Sequence, residues 1–573
     1  MLKLARWMNP WRVALSLFFM GLQVVGMLAM PTITANIIDF GVAEGDIGYI
    51  TRTGLLMLGF TFLTIVSALL NVYFGAKESQ GLGDTIRRKV YKIVTYFTNE
   101  ELDRFGTSTL ITRTTNDVMQ IQFVMMMVIR IMTLAPFLMV GAGIMAYSRE
   151  PDLAFVFLIS MPILIGLLFL ILRLTSPIFK SLQLKTDNLN RVFREGLTGI
   201  RVIRAFNKDD YEKERFDEVN WDFAATSIKA QTILAFMMPS MVFAVSITNI
   251  MIIWFGAQFI SEGNMQVGNL VAFMTYAMQI LLGIMMVSFV LFFLPRGQIA
   301  AARVLEVLDT PNIIKDPDDP KDLSIDREVS LRFNHINYRY PGAEKLALDD
   351  IDFTLKKGER LAIIGGTGSG KTTLANLIPR LYDVEDGAIE INGIDIREVE
   401  QGALRRLIGF APQKALLFSG TIRSNLKYGK PDATDEEIWH ALDIAQGKDF
   451  VENLPKGLDS RVEQGGGNFS GGQRQRLSIA RALVTKADIL VFDDSFSALD
   501  FKTDAKLREA LKPETRESAV VIIAQRISTV VDADQIIVLD RGKVVGKGTH
   551  DELKRSNKIY KEIMDSQMKG EDI

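Results

Sequence analysis

The sequence predicts a membrane α-helical bundle of six spans followed by an α/β domain of the P-loop type. Three observations carry that reading. Six apolar runs, each long enough to cross a bilayer, all lie before residue 295. After about residue 296 the pattern changes to short β-rich runs (VSLRF, RLAIIGG, ADILVFDD, AVVIIAQR, QIIVLD) alternating with helical stretches. The second of those runs leads straight into a G-x-x-x-x-G-K-[ST] element.

Composition agrees with a chain of two characters. Of 573 residues, 48% are apolar and 23% charged, and mean hydropathy is +0.18. That average suits one membrane part joined to one aqueous part. The net charge of −2 gives no case for a nucleic-acid partner. The absence of cysteine excludes disulfides, thiolate metal sites and thiol catalysis, and with only three histidines (His335, His440, His550) a multi-histidine metal centre is not expected.

The first run, 11–38, carries one charge, Arg12 at its edge, and lacks the short apolar core and small-residue cleavage site of a signal peptide. Runs at about 53–74, 123–147, 152–172, 233–260 and 269–294 follow. Each reaches the ~20 residues that cross ~30 Å of hydrocarbon as a helix, and helix is the default because a span must satisfy its own backbone in lipid. An even number of spans puts both ends of the chain on one side. The stretches at 76–122 and 173–232 are rich in Lys and Arg, whereas the three opposite loops offer only Arg52 and Arg149. The positive-inside rule therefore places the basic stretches, both termini and the second domain in the cytoplasm of a multi-pass protein of the inner or plasma membrane. Trp7 and Trp11 read as interfacial anchors or as the start of the first span. Each basic stretch should extend its spans as helix and break once, at Phe105-Gly106-Thr107 and at Ala205-Phe206-Asn207. An aromatic at such a tip is either a docking knob or part of an ordinary turn. Domain limits are expected at 1–305 for the membrane bundle, 306–327 for a polar linker with Pro311, Pro317 and Pro320, and 328–573 for the α/β domain.

The strand RLAIIG ends in Gly365-Gly366-Thr367-Gly368-Ser369-Gly370-Lys371-Thr372, with Thr373 next. Glycines let backbone N–H groups wrap phosphates, Lys371 sets a cation on the β/γ-phosphates, and the Thr372 hydroxyl suits Mg²⁺. Ile489–Asp493 is an apolar strand ending in a carboxylate, as a Walker-B aspartate requires. Between them, Phe469-Ser470-Gly471-Gly472-Gln473 opens the helix RQRLSIARAL and makes a second anion cradle. One chain has no need of two triphosphate cradles, so the second makes sense when it closes over nucleotide held by another subunit.

With these motifs the chain resembles an ABC transporter half-unit of the exporter type, six spans fused to one P-loop ATPase domain, over nearly its whole length. The most specific match is SGGQ-x-QR at Ser470–Arg476. The resemblance implies ATP and Mg²⁺ as cofactors and several further roles. Tyr340 takes the place of the adenine-stacking aromatic. Gln413 in FAPQ takes that of the glutamine facing Mg²⁺ and the transmembrane part, and Asp500 in SALD lies in the D-loop. The distal tips become coupling helices, which favours docking for Phe105 and Phe206. An importer is disfavoured, because spans and ATPase share one chain in that order.

Two positions depart from the family. Asp494 stands where a glutamate base is usual, one methylene short; losing over ~1 Å of reach can cost ~10²-fold in rate. Gln525 stands where the switch histidine is usual. It can still donate a hydrogen bond but carries no charge. The resemblance thus implies a heterodimeric exporter of amphipathic drugs or lipids. In it this chain grips a nucleotide that it cleaves slowly, and its Ser470–Gln473 completes the competent site of a second, homologous half-transporter. The rivals are a homodimeric exporter and a non-pumping, ATP-regulated membrane protein. Within the spans, Gln23, Asn249, Gln279 and Arg130 are polar, and methionines cluster (Met125–Met127, Met237, Met238, Met241, Met274, Met278, Met285, Met286). The neutral polar residues read as substrate-facing or as interhelical glue, Arg130 as functional or as lying at the cytoplasmic interface, and the methionines more as lipid-facing or packing filler than as a substrate surface.

Overall fold

The structure is a computed structural model and describes residues 1–323 and 329–568; the expected boundary at 327/328 lies outside the described residues. The chain divides into two compact units: Met1–Thr95 with Thr107–Thr310, and Tyr96–Gly106 with Pro311 onward.

The first unit holds six helices long and apolar enough to cross a membrane: α1 (Pro10–Val42), α2 (Ile47–Val94), α3 (Thr107–Arg149), α4 (Pro151–Thr198), α5 (Asp209–Ser261) and α6 (Val267–Asp309). Asn9 caps α1, its side chain accepting from Trp11 N at 3.0 Å, and Pro10 occupies the first helical position, where it lacks no needed donor. Trp7 lies under the Lys89 ammonium, 3.7 Å from ring centroid to Nζ, while Trp11 is exposed. The linker expected from 306 begins later, because Val304 and Val307 continue the buried stripe of α6 to Asp309.

Polar groups within the apolar stretches tie helices together. Tyr276 of α6 meets Thr32 of α1 at 2.6 Å and donates to Leu28 O at 3.0 Å. Gln279 donates to Met27 O at 3.1 Å, so the interhelical-glue reading holds for this residue. Asn249 Oδ1 is buried without a partner among the described residues. Arg130, on a π-helical turn of α3, lies half-buried; a Cβ on Gly75 would stand 3.4 Å from its Cγ and 3.3 Å from Ser16 Oγ. Met125, Met127 and Met241 are packed inside, whereas Met238 and Met278 are exposed, so the methionines do not form one surface.

Both expected helix breaks are present, but neither stretch breaks only once, since helix also stops between Val94 and Asn99 and between Thr198 and Ile200. A helix Asn99–Phe105 ends at Gly106, whose φ of 74° favours glycine, and the second break falls between Ala205 and Asp209, with Asn207 at φ 50°. The two tips differ in burial. Phe105 is buried and stacked on Phe97 with centroids 5.9 Å apart, whereas Phe206 is 71% exposed. The first tip belongs to the second unit, and Glu101 explains why. Its carboxylate, 1% exposed, caps its own helix through Thr98 N and also accepts from Ile313 N at 2.8 Å. Burial raises its pKa, but the Thr98 hydroxyl, followed by the Ile313 and Thr98 N–H groups, holds it below the usual carboxylate range. Glu101→Ala would orphan both N–H groups at a cost of about 1–3 kcal/mol. The expected readout is faster amide exchange at Thr98 and Ile313, with exchange in the central sheet unchanged.

The second unit is built on a six-stranded sheet. In chain order its strands are β1 (Arg360–Gly365), β2 (Ile408–Ala411), β3 (Ile489–Asp493), β4 (Ala519–Ile523), β5 (Gln535–Asp540) and β6 (Lys543–Gly548), arranged β6-β5-β1-β4-β3-β2. All neighbours are parallel except the β5–β6 pair. β1, β3 and β4 are buried at nearly every residue, as a sheet covered on both faces requires. VSLRF does not join them. Ser330–Tyr338 pairs antiparallel with Leu348–Lys356 and Asp386–Ile391 in a separate four-stranded sheet. Its burial is interrupted by exposed positions, which marks a strand with one dry face. Phe333 and Phe353 stack there at 4.5 Å.

Candidate nucleotide site

The register of the central sheet assembles the site. Ile523 of β4 lies opposite both Ile363 of β1 and Asp493 of β3, and Leu539 of β5 lies opposite Gly365. The phosphate loop, the Asp493-Asp494 pair and Gln525 therefore leave the sheet at one carboxyl edge, where α/β folds place ligands.

Two glycines in this loop are obligatory. A Cβ on Gly365 would stand 2.2 Å from Leu539 O, so the loop can leave the sheet this close to β5 only without a side chain. Gly370 has φ 103°, outside the range of other residues, and turns the loop into the helix Lys371–Leu377. Lys371 is folded back, donating to Gly365 O at 2.9 Å and Gly366 O at 2.7 Å. Burial lowers its pKa, and the charges of Asp494 and Asp493 oppose that shift. The Lys371 ammonium thus rests on carbonyls that a triphosphate can replace.

The Thr372 hydroxyl donates to Asp493 Oδ1 at 3.3 Å. Burial pushes the Asp493 carboxyl up to about 6; the Thr372 hydrogen bond and Lys371 work against this and the Asp494 charge adds to it. A hydroxyl and a buried carboxylate at hydrogen-bond distance make an all-oxygen donor set of the kind that suits a hard divalent cation. Asp494 has φ 47°, a costly conformation for a non-glycine residue. Its Oδ2 accepts from two side-chain amides, Gln413 Nε2 at 3.2 Å and Gln525 Nε2 at 2.9 Å. Both family departures therefore meet in one hydrogen bond.

These residues line a single cleft of about 590 Å³ with Tyr340, Thr367, Gly368, Ser369 and Thr373. The Tyr340 hydroxyl is 2.8 Å from Thr373 Oγ1, and its ring meets Tyr338 and Tyr382 edge-on. Sequence reading missed Lys345 and Arg541, which add two cations to the lining. They come from turns far apart in the chain, where no local pattern marks them.

Ser470–Gln473 and Asp500 do not line this cleft. Ser470 caps the helix Gly471–Leu483: its Oγ accepts from Gln473 N at 3.3 Å, and Gln473 Oε1 accepts from Ser470 N at 2.9 Å. This leaves Ser470 and Gly471 exposed, with open space around Gly471. Phe469 is buried against Phe450, so it fills core next to the turn. Asp500 caps the helix Phe501–Glu514, accepting from Thr503 N at 3.0 Å.

The family of ABC transporters matches at both ends of the chain. Residues 13–285 match the family model described as ABC transporter transmembrane region and residues 348–497 the one described as ABC transporter. An uncharacterized ABC transporter ATP-binding protein of Mycobacterium tuberculosis is 42% identical over 98% of this chain and 97% of its own length. The chain belongs to the ABC transporter family. It is accordingly a multi-pass membrane protein and a transport-coupled ATPase, and its nucleotide domain binds ATP. An uncharacterized ABC transporter ATP-binding protein of Bacillus subtilis is 36% identical over 96% of both chains. An ATP-dependent lipid A-core flippase of Desulfotalea psychrophila is 32% identical over 97% of both. The solved structure of a bacterial Atm1-family ABC exporter with ATP bound superposes with a TM-score of 0.80 at 24% identity, covering 97% of this chain and 98% of that one; the fold is of the exporter type.

Proposed function

We infer that the chain is one half of a heterodimeric exporter and divides its labour between two ATP sites. Two observations carry this: Asp494 is short and already shared by the Gln413 and Gln525 amides, and the motifs are split. One cleft gathers Tyr340, the Thr367–Thr373 stretch of the phosphate loop, Gln413, Asp493, Asp494 and Gln525, while the Ser470–Gln473 turn stays outside it, capped and exposed. A signature turn that serves no nucleotide in its own chain serves one in another.

In the chain's own cleft Lys371 meets the β/γ-phosphates and Tyr340 stacks on adenine. Thr372 and Asp493, with Gln413 nearby, would hold Mg²⁺, which neutralises charge on the β- and γ-oxygens when bound. Asp494 fills the position of the base, but it is short and already shared by two amides. Gln525 can orient a γ-phosphate but adds no charge there. Cleavage is therefore slow, and ATP held here acts mainly by closing the two nucleotide domains. Ser470, Gly471, Gly472 and Gln473, with Asp500 behind them, complete the competent site on the partner, which brings its own glutamate and histidine. Closure is passed to the membrane helices through the loop tips, with the nucleotide domain and both termini cytoplasmic by the charge bias of the loops. The cargo is an amphipathic compound or lipid; a relative named as a lipid A-core flippase and the predominantly apolar spans support that class.

The test is the composition of the complex purified from its native membrane through a tag on this chain. The expected result is a 1:1 pair with a different ABC half-transporter that carries glutamate and histidine at the two positions. A complex of this chain alone that hydrolyses ATP and transports would defeat the proposal.

A further inference from the structure

The helix Lys558–Met568 is anchored by Tyr560, which is fully buried and whose hydroxyl lies 2.7 Å from His550 Nδ1. Two turns on, this helix presents Gln567 to the loop that follows β4. Gln567 Nε2 donates to Gln525 O at 2.7 Å, and Gln567 Oε1 accepts from Ile527 N at 2.8 Å. The residue between, Arg526, is extended at φ −96°, ψ 133°. In extended backbone the C=O of one residue and the N–H two residues on point to the same side, so one side-chain amide engages both as a neighbouring strand would. From the other side the Arg526 guanidinium reaches Ser497 O at 3.3 Å and Leu499 O at 3.5 Å, and it lies over the Phe501 ring at 4.8 Å. The loop is thus gripped on both faces. What the grip positions is the side chain of Gln525, whose amide donates to Asp494.

We propose that Gln567 is a positioning residue for the ATP site: it fixes the backbone of residues 525–527 and so aims the Gln525 amide into the cleft. The step from loop to nucleotide rests on the reading of Gln525 as the switch residue of this chain's own site. Without Gln567 the Gln525 carbonyl and the part-buried Ile527 N–H lose their partner, and the loop samples conformations in which Gln525 leaves Asp494 and the γ-phosphate. Glutamate at 567 separates this from a role in helix stability, because glutamine and glutamate are near-equal helix formers. A carboxylate still accepts from Ile527 N but turns against the Gln525 carbonyl.

The experiment is photolabelling of this chain by azido-ATP in the full-length complex, read as the half-saturating concentration. Gln567→Ala should raise that concentration about tenfold, the scale of two lost hydrogen bonds, and Gln567→Glu should raise it at least as far, with the thermal midpoint of the complex unchanged. Wild-type labelling by either variant overturns the inference. Gln525→Ala in the same assay decides the underlying reading separately. If it shifts labelling while Gln567→Ala does not, the switch assignment stands and the inference falls. If the Gln567 variants shift labelling while Gln525→Ala does not, the inference falls too, since its route runs through Gln525.

Discussion

Ser470→Asp in this chain will lower ATP turnover of the assembled transporter by about 10²–10³-fold, the usual effect of losing one donor aimed at transition-state charge. The choice of aspartate matters. Ser470 caps the helix Gly471–Leu483, and in the function proposed above it also presents its hydroxyl to the partner's phosphate. Aspartate caps a helix as well as serine does, so the fold of the turn survives and thermal stability should stay near wild type. What changes is the charge at the mouth of the cradle: a neutral hydroxyl becomes a carboxylate that would face a triphosphate. Asp494→Ala, which lies in this chain's own cleft, should lower turnover by no more than about twofold if, as proposed, the working base belongs to the other site. The pair of measurements is diagnostic. Equal collapse from both substitutions would place the working base in this chain, and an active Ser470→Asp complex would remove the signature turn from the chemistry.

Much of this was legible because it is local. An apolar run of bilayer length, a glycine loop between a strand and a helix, and a serine three residues before a glutamine at a helix start are each written in consecutive residues. So were both helix breaks, since glycine at 106 and asparagine at 207 tolerate positive φ. What the sequence hid was long-range. Glu101 and Ile313 lie 212 positions apart, and nothing near either announces that the first tip belongs with the nucleotide unit. Phe105 and Phe206 looked alike in sequence and differ in burial for that reason. VSLRF is as β-prone as the strands of the central sheet; its exposed positions, not its propensity, send it to the antiparallel sheet. The meeting of Gln413, Gln525 and Asp494 on one carboxylate oxygen required the sheet register, which no motif encodes.

That shared oxygen also governs the converse experiment. Asp494→Glu with Gln525→His should give this chain's cleft a hydrolysis rate about 10²-fold above its present one, the scale of restoring ~1 Å of reach. The extra methylene carries the carboxylate outward from a backbone already held at φ 47°. The imidazole replaces an amide that now occupies the same oxygen at 2.9 Å, and it can carry charge near neutral pH. The two changes should be strongly non-additive, because residues that share a hydrogen bond couple. Glutamate alone remains tied to Gln525, and histidine alone faces a base that is still short. Vanadate trapping of labelled nucleotide gives the readout. Wild type should trap on the partner's Walker motifs, and the double variant on both chains. Trapping on both chains in wild type would mean that Asp494 and Gln525 already suffice. A double variant that traps only on the partner would mean that the defect of this cleft lies in neither residue.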